Sequence, residues 1–305
     1  MSCHVPVLLG EVLEFLQPKP GGVYFDGTFG GGGHTQAILK ASSPNGMVIA
    51  SDRDDSAVAR GALHFSDTMD SRLKLFCGRF DEVGSFFQGK FDGALLDLGI
   101  SSDQIMDEKR GFSFMREGHL DMRMDLTMKT TAADLINHSS EAELIRILST
   151  YGEEHRSKRL ARAFVEHRRE TPFRSTKELV RVVEKVKGRE SGHLHPATKT
   201  FQALRIAVNQ ELDFLRKGVE PIVDQLAPGG RLCVISFHSL EDRIVKETFR
   251  RLSGLCRCPE KIPLCVCNPV RSVRVLTKKP VKAGREEMAA NPRSRSAKLR
   301  VVERI

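Results

Sequence analysis

Apolar runs recur along the first hundred positions, and most close on an acidic residue. Val23-Tyr24-Phe25 ends at Asp26, Met47-Val48-Ile49-Ala50-Ser51 at Asp52, and Phe91-Asp92-Gly93-Ala94-Leu95-Leu96 at Asp97. Leu73-Lys74-Leu75-Phe76-Cys77 leads instead into Gly78-Arg79-Phe80-Asp81. Short apolar runs of this kind predict strands, and the least interrupted ones predict strands buried on both faces of a parallel sheet. Between them lie segments of helical character: Glu11 to Leu16, Gln36 to Ala41, and Ala57 to Phe65. Strands alternating with helices, with polar groups at the carboxyl ends, predict an α/β doubly wound sheet whose ligand sits at that edge.

From Ile105 the pattern changes. Residues 106–198 carry helix-start signals and no strand-like runs: Ser139-Ser140 stands before Glu141-Ala142-Glu143-Leu144, and Ser175-Thr176-Lys177-Glu178 matches a capping box. Pro196 suits the first turn of one long helix whose apolar stripe is Phe201, Leu204, Val208, Leu212 and Leu215. Strand character returns at Arg231-Leu232-Cys233-Val234-Ile235-Ser236, after a turn at Ala227-Pro228-Gly229-Gly230. It ends with Lys298 to Arg304, whose alternation suits an edge strand. The expected organisation is a first sheet segment (1–105), an inserted helical domain (106–198) and a second sheet segment (199–305) with a basic end.

The candidate chemistry gathers behind the first strand. Asp26-Gly27-Thr28-Phe29-Gly30-Gly31-Gly32-Gly33-His34-Thr35 is a glycine-rich turn opening a helix, a place where backbone N–H groups face a ligand. Asp52 stands where a carboxylate accepts from ribose hydroxyls, so the site reads as one for a nucleoside cofactor. A G-x-G-x-x-G fingerprint would need glycine where Thr35 stands, and a P-loop would need a lysine before Thr35. Asp26 would repel a pyrophosphate but suits a cationic donor, which favours S-adenosylmethionine over a dinucleotide.

Charge adds a partner. The chain carries a net +9, while His155 to Arg189 and Arg271 to Ile305 each carry +8, which leaves the remainder net acidic. Two basic segments on an acidic body point to a nucleic acid. Seven cysteines, an odd number, with no export-like segment at Met1-Ser2-Cys3-His4-Val5-Pro6 and no run long enough to span a bilayer, fit a reducing cytoplasm and no membrane. Cys256, Cys258, Cys265 and Cys267 are spaced C-x-C rather than the C-x₂-C usual at zinc, and no metal is expected. His238 and Ser239 follow a strand on the active edge, where RNA is one candidate contact and a satisfied polar role the commoner use. Asp121 and Asp125 are expected to pair with Arg123 or another basic residue.

Longer motifs then resemble one family. Asp26 to Gly30 with His34-Thr35, Asp52-Arg53-Asp54, Asp97-Leu98-Gly99-Ile100-Ser101-Ser102 with Gln104, and Leu120-Asp121-Met122-Arg123-Met124-Asp125 resemble the RsmH (MraW) family. So do Ser236 to Arg243 and Asn291 to Lys298. The resemblance implies a class I S-adenosylmethionine-dependent methyltransferase with a Rossmann-like sheet and an inserted all-helical, RNA-binding domain. Its substrate would be the exocyclic N4 of a decoding-centre cytidine in 16S rRNA of the small ribosomal subunit. It also implies Gly32, Gly33, His34, Asp52, Phe80, Asp97 and Gln104 as cofactor positions, with Asp97 and Gln104 near the transfer site. Asp97 is assigned as the catalytic acceptor of the target amine, a hydrogen bond to the donor's own amino group being the alternative. The Asp/Asn-Pro-Pro-aromatic turn of many amino-methyltransferases is replaced here by Asp97-Leu98-Gly99-Ile100. A nicotinamide oxidoreductase and a non-catalytic ribosome-assembly factor are the competing readings, and the sequence leaves oligomeric state, dimer included, open.

Overall fold

The structure, a computed structural model, describes residues 5–66, 71–188, 195–255 and 270–305. The chain divides into two compact units, Met1–Gly99 with Leu212–Ile305, and Ile100–Glu211. Cys256, Cys258, Cys265 and Cys267 lie outside the described residues. No described helix is long and apolar enough to cross a membrane.

The first unit is built on seven strands: β1 (Val23–Asp26), β2 (Met47–Asp52), β3 (Leu73–Cys77), β4 (Phe91–Asp97), β5 (Leu226–Ser236), β6 (Val273–Val275) and β7 (Lys298–Arg304). Their order is β3-β2-β1-β4-β5-β7-β6, with the first five parallel and β7 antiparallel to both neighbours. This is the doubly wound α/β sheet expected from the sequence, and its order reverses between β1 and β4, where such sheets bind ligands. Tyr24, Phe25, Ile49, Leu95 and Leu96 are almost fully buried, as central parallel strands require.

Two elements of the sheet depart from the sequence expectation. β7 is internal, because Leu299 to Val302 are all buried and β6 supplies the outer edge. Its one charged member there, Arg300, is compensated by Asp242, with Nε donating to Oδ1 at 2.6 Å. The Ala227-Pro228-Gly229-Gly230 turn lies inside β5 as a bulge: the β4 register jumps from Phe91↔Leu226 to Gly93↔Arg231, and Gly229 takes φ 79°.

The helical unit packs Ala132–His138, Glu141–Gly152, Ser157–Glu170, Thr176–Lys187 and Thr198–Asn209 around one apolar core that includes Leu144, Leu160, Phe164, Leu179 and Phe201. Its helix starts are closed by side chains at Thr131, Ser140 and Ser175, the last in a capping box with Glu178. The expected long helix after Pro196 is two helices, because Gln210 is left-handed (φ 50°) and ends the first. Phe201, Leu204 and Val208 therefore join the helical core, and the unit spans 100–211 rather than 106–198. The 120–125 loop is held from both sides: the Arg110 guanidinium donates to the carbonyls of Arg123 and Met124, and Asn209 Oδ1 accepts from the Met124 N–H at 2.7 Å. Asp121 pairs with Arg123 at 2.8 Å and Asp125 accepts from Thr127, so both carboxylates serve this loop.

Candidate active site at the sheet edge

The loop after β1 threads between two neighbouring strands. Gly27 N–H donates to the Leu95 carbonyl at 3.0 Å and Phe29 N–H to the Ser51 carbonyl at 3.0 Å, which fixes the loop across the ends of β4 and β2. It then turns at Gly32, in the left-handed region at φ 76°, where an added Cβ would lie 2.8 Å from the Phe29 ring. The helix Gly33–Ala41 starts directly after it with no side-chain cap, so its first N–H groups and positive dipole end face the strand edge.

Three strand-end carboxylates surround this loop. Asp26, 1% exposed, accepts from Thr35 Oγ1 at 2.7 Å and from the Thr28 N–H at 3.1 Å. Burial raises its carboxyl above the ordinary range, outweighing the opposing pull of those bonds and of His34. Asp52 accepts from Gly30 N–H at 2.7 Å and Asp54 N–H at 2.9 Å, and burial raises it as well. Asp97 donates its N–H to Thr28 Oγ1 at 2.6 Å. Its Oδ2 lies 3.6 Å from His34 Nε2, an electrostatic pair longer than a hydrogen bond. Its Oδ1 is buried and has no hydrogen-bond partner among the described residues. Burial lowers the His34 imidazole, but the carboxylates of Asp97 and Asp26 outweigh it and leave its pKa raised.

Phe80 opens a short 3₁₀ turn (Phe80–Glu82) beyond β3 and is partly buried. It lies between two glycines: a Cβ on Gly27 would come within 2.7 Å of its Cβ, and one on Gly218 within 2.6 Å of its ring. Gly218 belongs to the helix Glu211–Asp224, and one turn earlier on the same helix stands Phe214. The guanidinium carbons of Arg79 and Arg53 lie 4.3 and 5.9 Å from the Phe214 ring centre. The residues flanking Phe80 and Asp52 are thus tied to one ring.

Six of the seven positions expected to hold the cofactor therefore lie on the strand ends and loop of the sheet unit: Gly32, Gly33, His34, Asp52, Phe80 and Asp97. Gln104 belongs to the helical unit, where its side-chain oxygen accepts from Ser101 N–H at 3.0 Å in a capping box. His238 has a comparable duty, as the N-cap of the helix Ser239–Leu252, with Nδ1 accepting from Glu241 N–H. Thr28, Thr35 and Phe214 complete the sheet-edge arrangement and were not singled out by the sequence. Thr28 and Thr35 are visible in the loop motif only as small hydroxyls, and Phe214 sits within what reads as an apolar helix face.

The whole chain, residues 1–305, matches the family model described as the MraW methylase family. A relative from a Geobacter species is 50% identical over 99% of this chain and 98% of its own length. One from Geobacter sulfurreducens is 49% identical over 99% of both, and one from Thermomicrobium roseum 48% identical over all of this chain and 94% of its own. All three carry the name ribosomal RNA small subunit methyltransferase H.

Proposed function

The chain belongs to the MraW methylase family, and we propose from this that it methylates the exocyclic N4 of a decoding-centre cytidine in 16S rRNA of the small ribosomal subunit, in the cytoplasm, using S-adenosylmethionine. The observation that carries the reading to this chain's own chemistry is Asp97 Oδ1. A buried carboxylate oxygen without a donor is costly, and it becomes satisfied when a ligand brings an N–H to it.

The residues fit the cofactor. The uncapped helix start and glycine loop leave backbone N–H groups and open space at Gly31, where an added Cβ meets nothing within 4 Å. Asp52 is the acceptor for ribose hydroxyls, Phe80 the flat apolar wall for adenine, and the acidic edge suits a cation. S-adenosylmethionine, when bound, supplies an electrophilic methyl group on a cationic sulfur.

The protein's part is to make a weak nucleophile react. The N4 lone pair of cytosine is delocalised into the ring, and the amine must lose a proton as its new bond forms. Asp97 Oδ1 accepts a hydrogen bond from that amine, fixes its direction and receives the proton. His34 Nε2, 3.6 Å from Oδ2, helps to hold the carboxylate in place. Thr28 anchors the backbone of Asp97, so that the carboxylate is placed by β1 and β4 together. The exposed cations of the helix Ser157–Glu170, among them Lys158, Arg162 and Arg169, supply a face for the RNA backbone.

The test is methyl transfer from labelled S-adenosylmethionine to small subunits and to naked 16S rRNA from cells lacking the enzyme, followed by digestion to nucleosides. Label in N4-methylcytidine is expected. Tight binding of S-adenosylhomocysteine with no label on either substrate would overturn the reaction while leaving the cofactor site intact.

A further inference from the structure

The sheet unit carries a group of cations on a segment whose backbone is fixed along the sheet. After β6 the chain does not leave the sheet; it is pinned along β7. Leu276 N–H donates to the Val301 carbonyl at 3.0 Å, Thr277 Oγ1 accepts from Val301 N–H at 2.8 Å, and Val281 exchanges backbone bonds with Leu299 at 2.9 and 2.8 Å. Val273, Thr277 and Ala283 are buried beneath this strap. Lys278, Lys279, Lys282 and Arg285 are all exposed, and Lys278-Lys279-Pro280 forms the bend between the anchors at Thr277 and Val281.

Several other basic side chains of this unit are neutralised within the fold. Arg300 and Lys298 pair with Asp242, Arg251 with Glu220, Arg231 and Arg274 with Glu303, and Arg79 with Asp81 and Glu82. On the strap, no carboxylate among the described residues pairs with Lys278, Lys279, Lys282 or Arg285. The nearby acid Glu287 has a different use, accepting from the Leu8 N–H at 2.7 Å, and Glu286 is exposed beside Arg285.

Four unneutralised cations on a flexible tail would be a solvated tail. On a backbone held by hydrogen bonds on both sides of the bend, they repel one another with little freedom to separate, an arrangement that a polyanion relieves. A pinned backbone also loses little entropy on binding. We propose that the strap from Lys278 to Arg285 is a docking surface for the sugar-phosphate backbone of the substrate RNA. This rests on the reading of the substrate as RNA and goes beyond it by assigning part of the footprint to the sheet unit rather than to the helical unit alone. The contacts are to phosphate, so they add affinity and orientation without sequence preference.

The experiment is binding of small subunits and of naked 16S rRNA to the full chain and to a Lys278→Ala/Lys279→Ala/Lys282→Ala variant, across a salt series. Loss of three phosphate contacts is expected to lower affinity on the order of tenfold or more and to flatten the slope of log affinity against log salt by about 2. Affinity for S-adenosylhomocysteine and the melting temperature should be unchanged, since the three side chains are exposed and lie outside the cofactor site. An unchanged slope with normal wild-type RNA binding would overturn the strap and leave the substrate reading standing. Absence of RNA binding by the wild type would overturn both. Salt-sensitive sedimentation with phosphatidylglycerol vesicles that the triple variant loses, with RNA binding retained, would assign the strap to a lipid surface and overturn the proposal.

Discussion

In the helical unit, Asp134 accepts from both the hydroxyl and the N–H of Thr131, at 2.6 and 2.9 Å, and Glu178 accepts from the N–H groups of Arg174 and Ser175. Glu154, almost fully buried, meets Lys187 Nζ at 2.8 Å. Each is held below its ordinary pKa: Asp134 by the Thr131 hydroxyl first, and Glu154 and Glu178 because their donors outweigh a burial that works upward. At the carboxyl edge of the sheet the balance is reversed. Burial raises Asp26 and Asp52 despite their hydrogen bonds, and Asp97 keeps a buried oxygen without a donor. The same residue type closes helix starts in one unit and, at Asp97, stands with an unpartnered buried oxygen in the other. Under-satisfaction, more than acidity or burial alone, marks where a ligand is expected.

The strongest way to break this comparison is to remove one carboxylate from each set. Asp97→Ala should lower methyl transfer at least ~10³-fold, roughly 4 kcal/mol of barrier, with RNA affinity within a few-fold of wild type. Asp134→Ala, assayed in parallel, should leave transfer unchanged and lower only the stability of the helical unit. Full activity in the Asp97 variant would remove its assignment as acceptor.

Next in size is the buried pair. Lys187 Nζ also donates to the Pro196 carbonyl at 2.9 Å, so Lys187→Met strands the Glu154 charge and a carbonyl in the interior. The expected cost is about 3 kcal/mol in urea unfolding, and Glu154→Leu in the same chain should recover much of it, since an apolar pair strands nothing. A double variant no more stable than the single one would mean that Glu154 is not the penalised group.

Phe214 sharpens the comparison on the sheet side. If the ring positions Arg79-Phe80 and Asp52-Arg53, Phe214→Leu should raise the KM for S-adenosylmethionine about tenfold, roughly 1.4 kcal/mol, at little change in saturated turnover. Phe214→Tyr keeps the ring face and should behave as wild type. A fall in turnover with unchanged KM would refute the positioning role.

Why the sheet edge was legible in the sequence, and other parts less so, follows from the physics of each element. Apolar runs closing on Asp26, Asp52 and Asp97 announce strands whose ends carry chemistry, because burial on both faces leaves the polar residue nowhere but the end. The glycine loop is legible because few other sequences allow its backbone path. The pairing of Lys298 to Arg304 was not, since its alternating charges read as an edge, and only the distant Asp242 lets Arg300 lie inside. The break at Gln210 was equally hidden: a helical stripe continues through it, and nothing local demands a left-handed residue there. Thr28 and Thr35 act through contacts across the sheet edge that periodicity does not encode.

The smallest effect is also the most direct readout of the two carboxylate sets. For Asp134, Glu154 and Glu178 the folded pKa lies below the unfolded one, so their stabilisation is present above the unfolded value and is lost as pH falls through the folded value. Asp242, paired with Arg300 and Lys298, follows the same sign although it lies in the sheet unit. Asp26 and Asp52 have the opposite sign: the folded state keeps protons that the unfolded chain has released, so stability declines as pH rises from the unfolded toward the folded value. His34, also raised, contributes stability below its unfolded value and loses it as pH rises through the folded value. Hydrogen exchange at residues 27–35 and at the helix starts near 132 and 176, corrected for intrinsic rates, separates the two. On lowering pH from about 7 to about 4, protection should hold or rise in the glycine loop, and it should fall at the helix starts only as pH drops further, below about 4 through the lowered folded values; His34→Gln should flatten the loop's response near neutrality. Parallel loss in both places would show that the strand-end carboxylates are ordinary structural acids and that the contrast drawn from their hydrogen bonding does not reach their energetics.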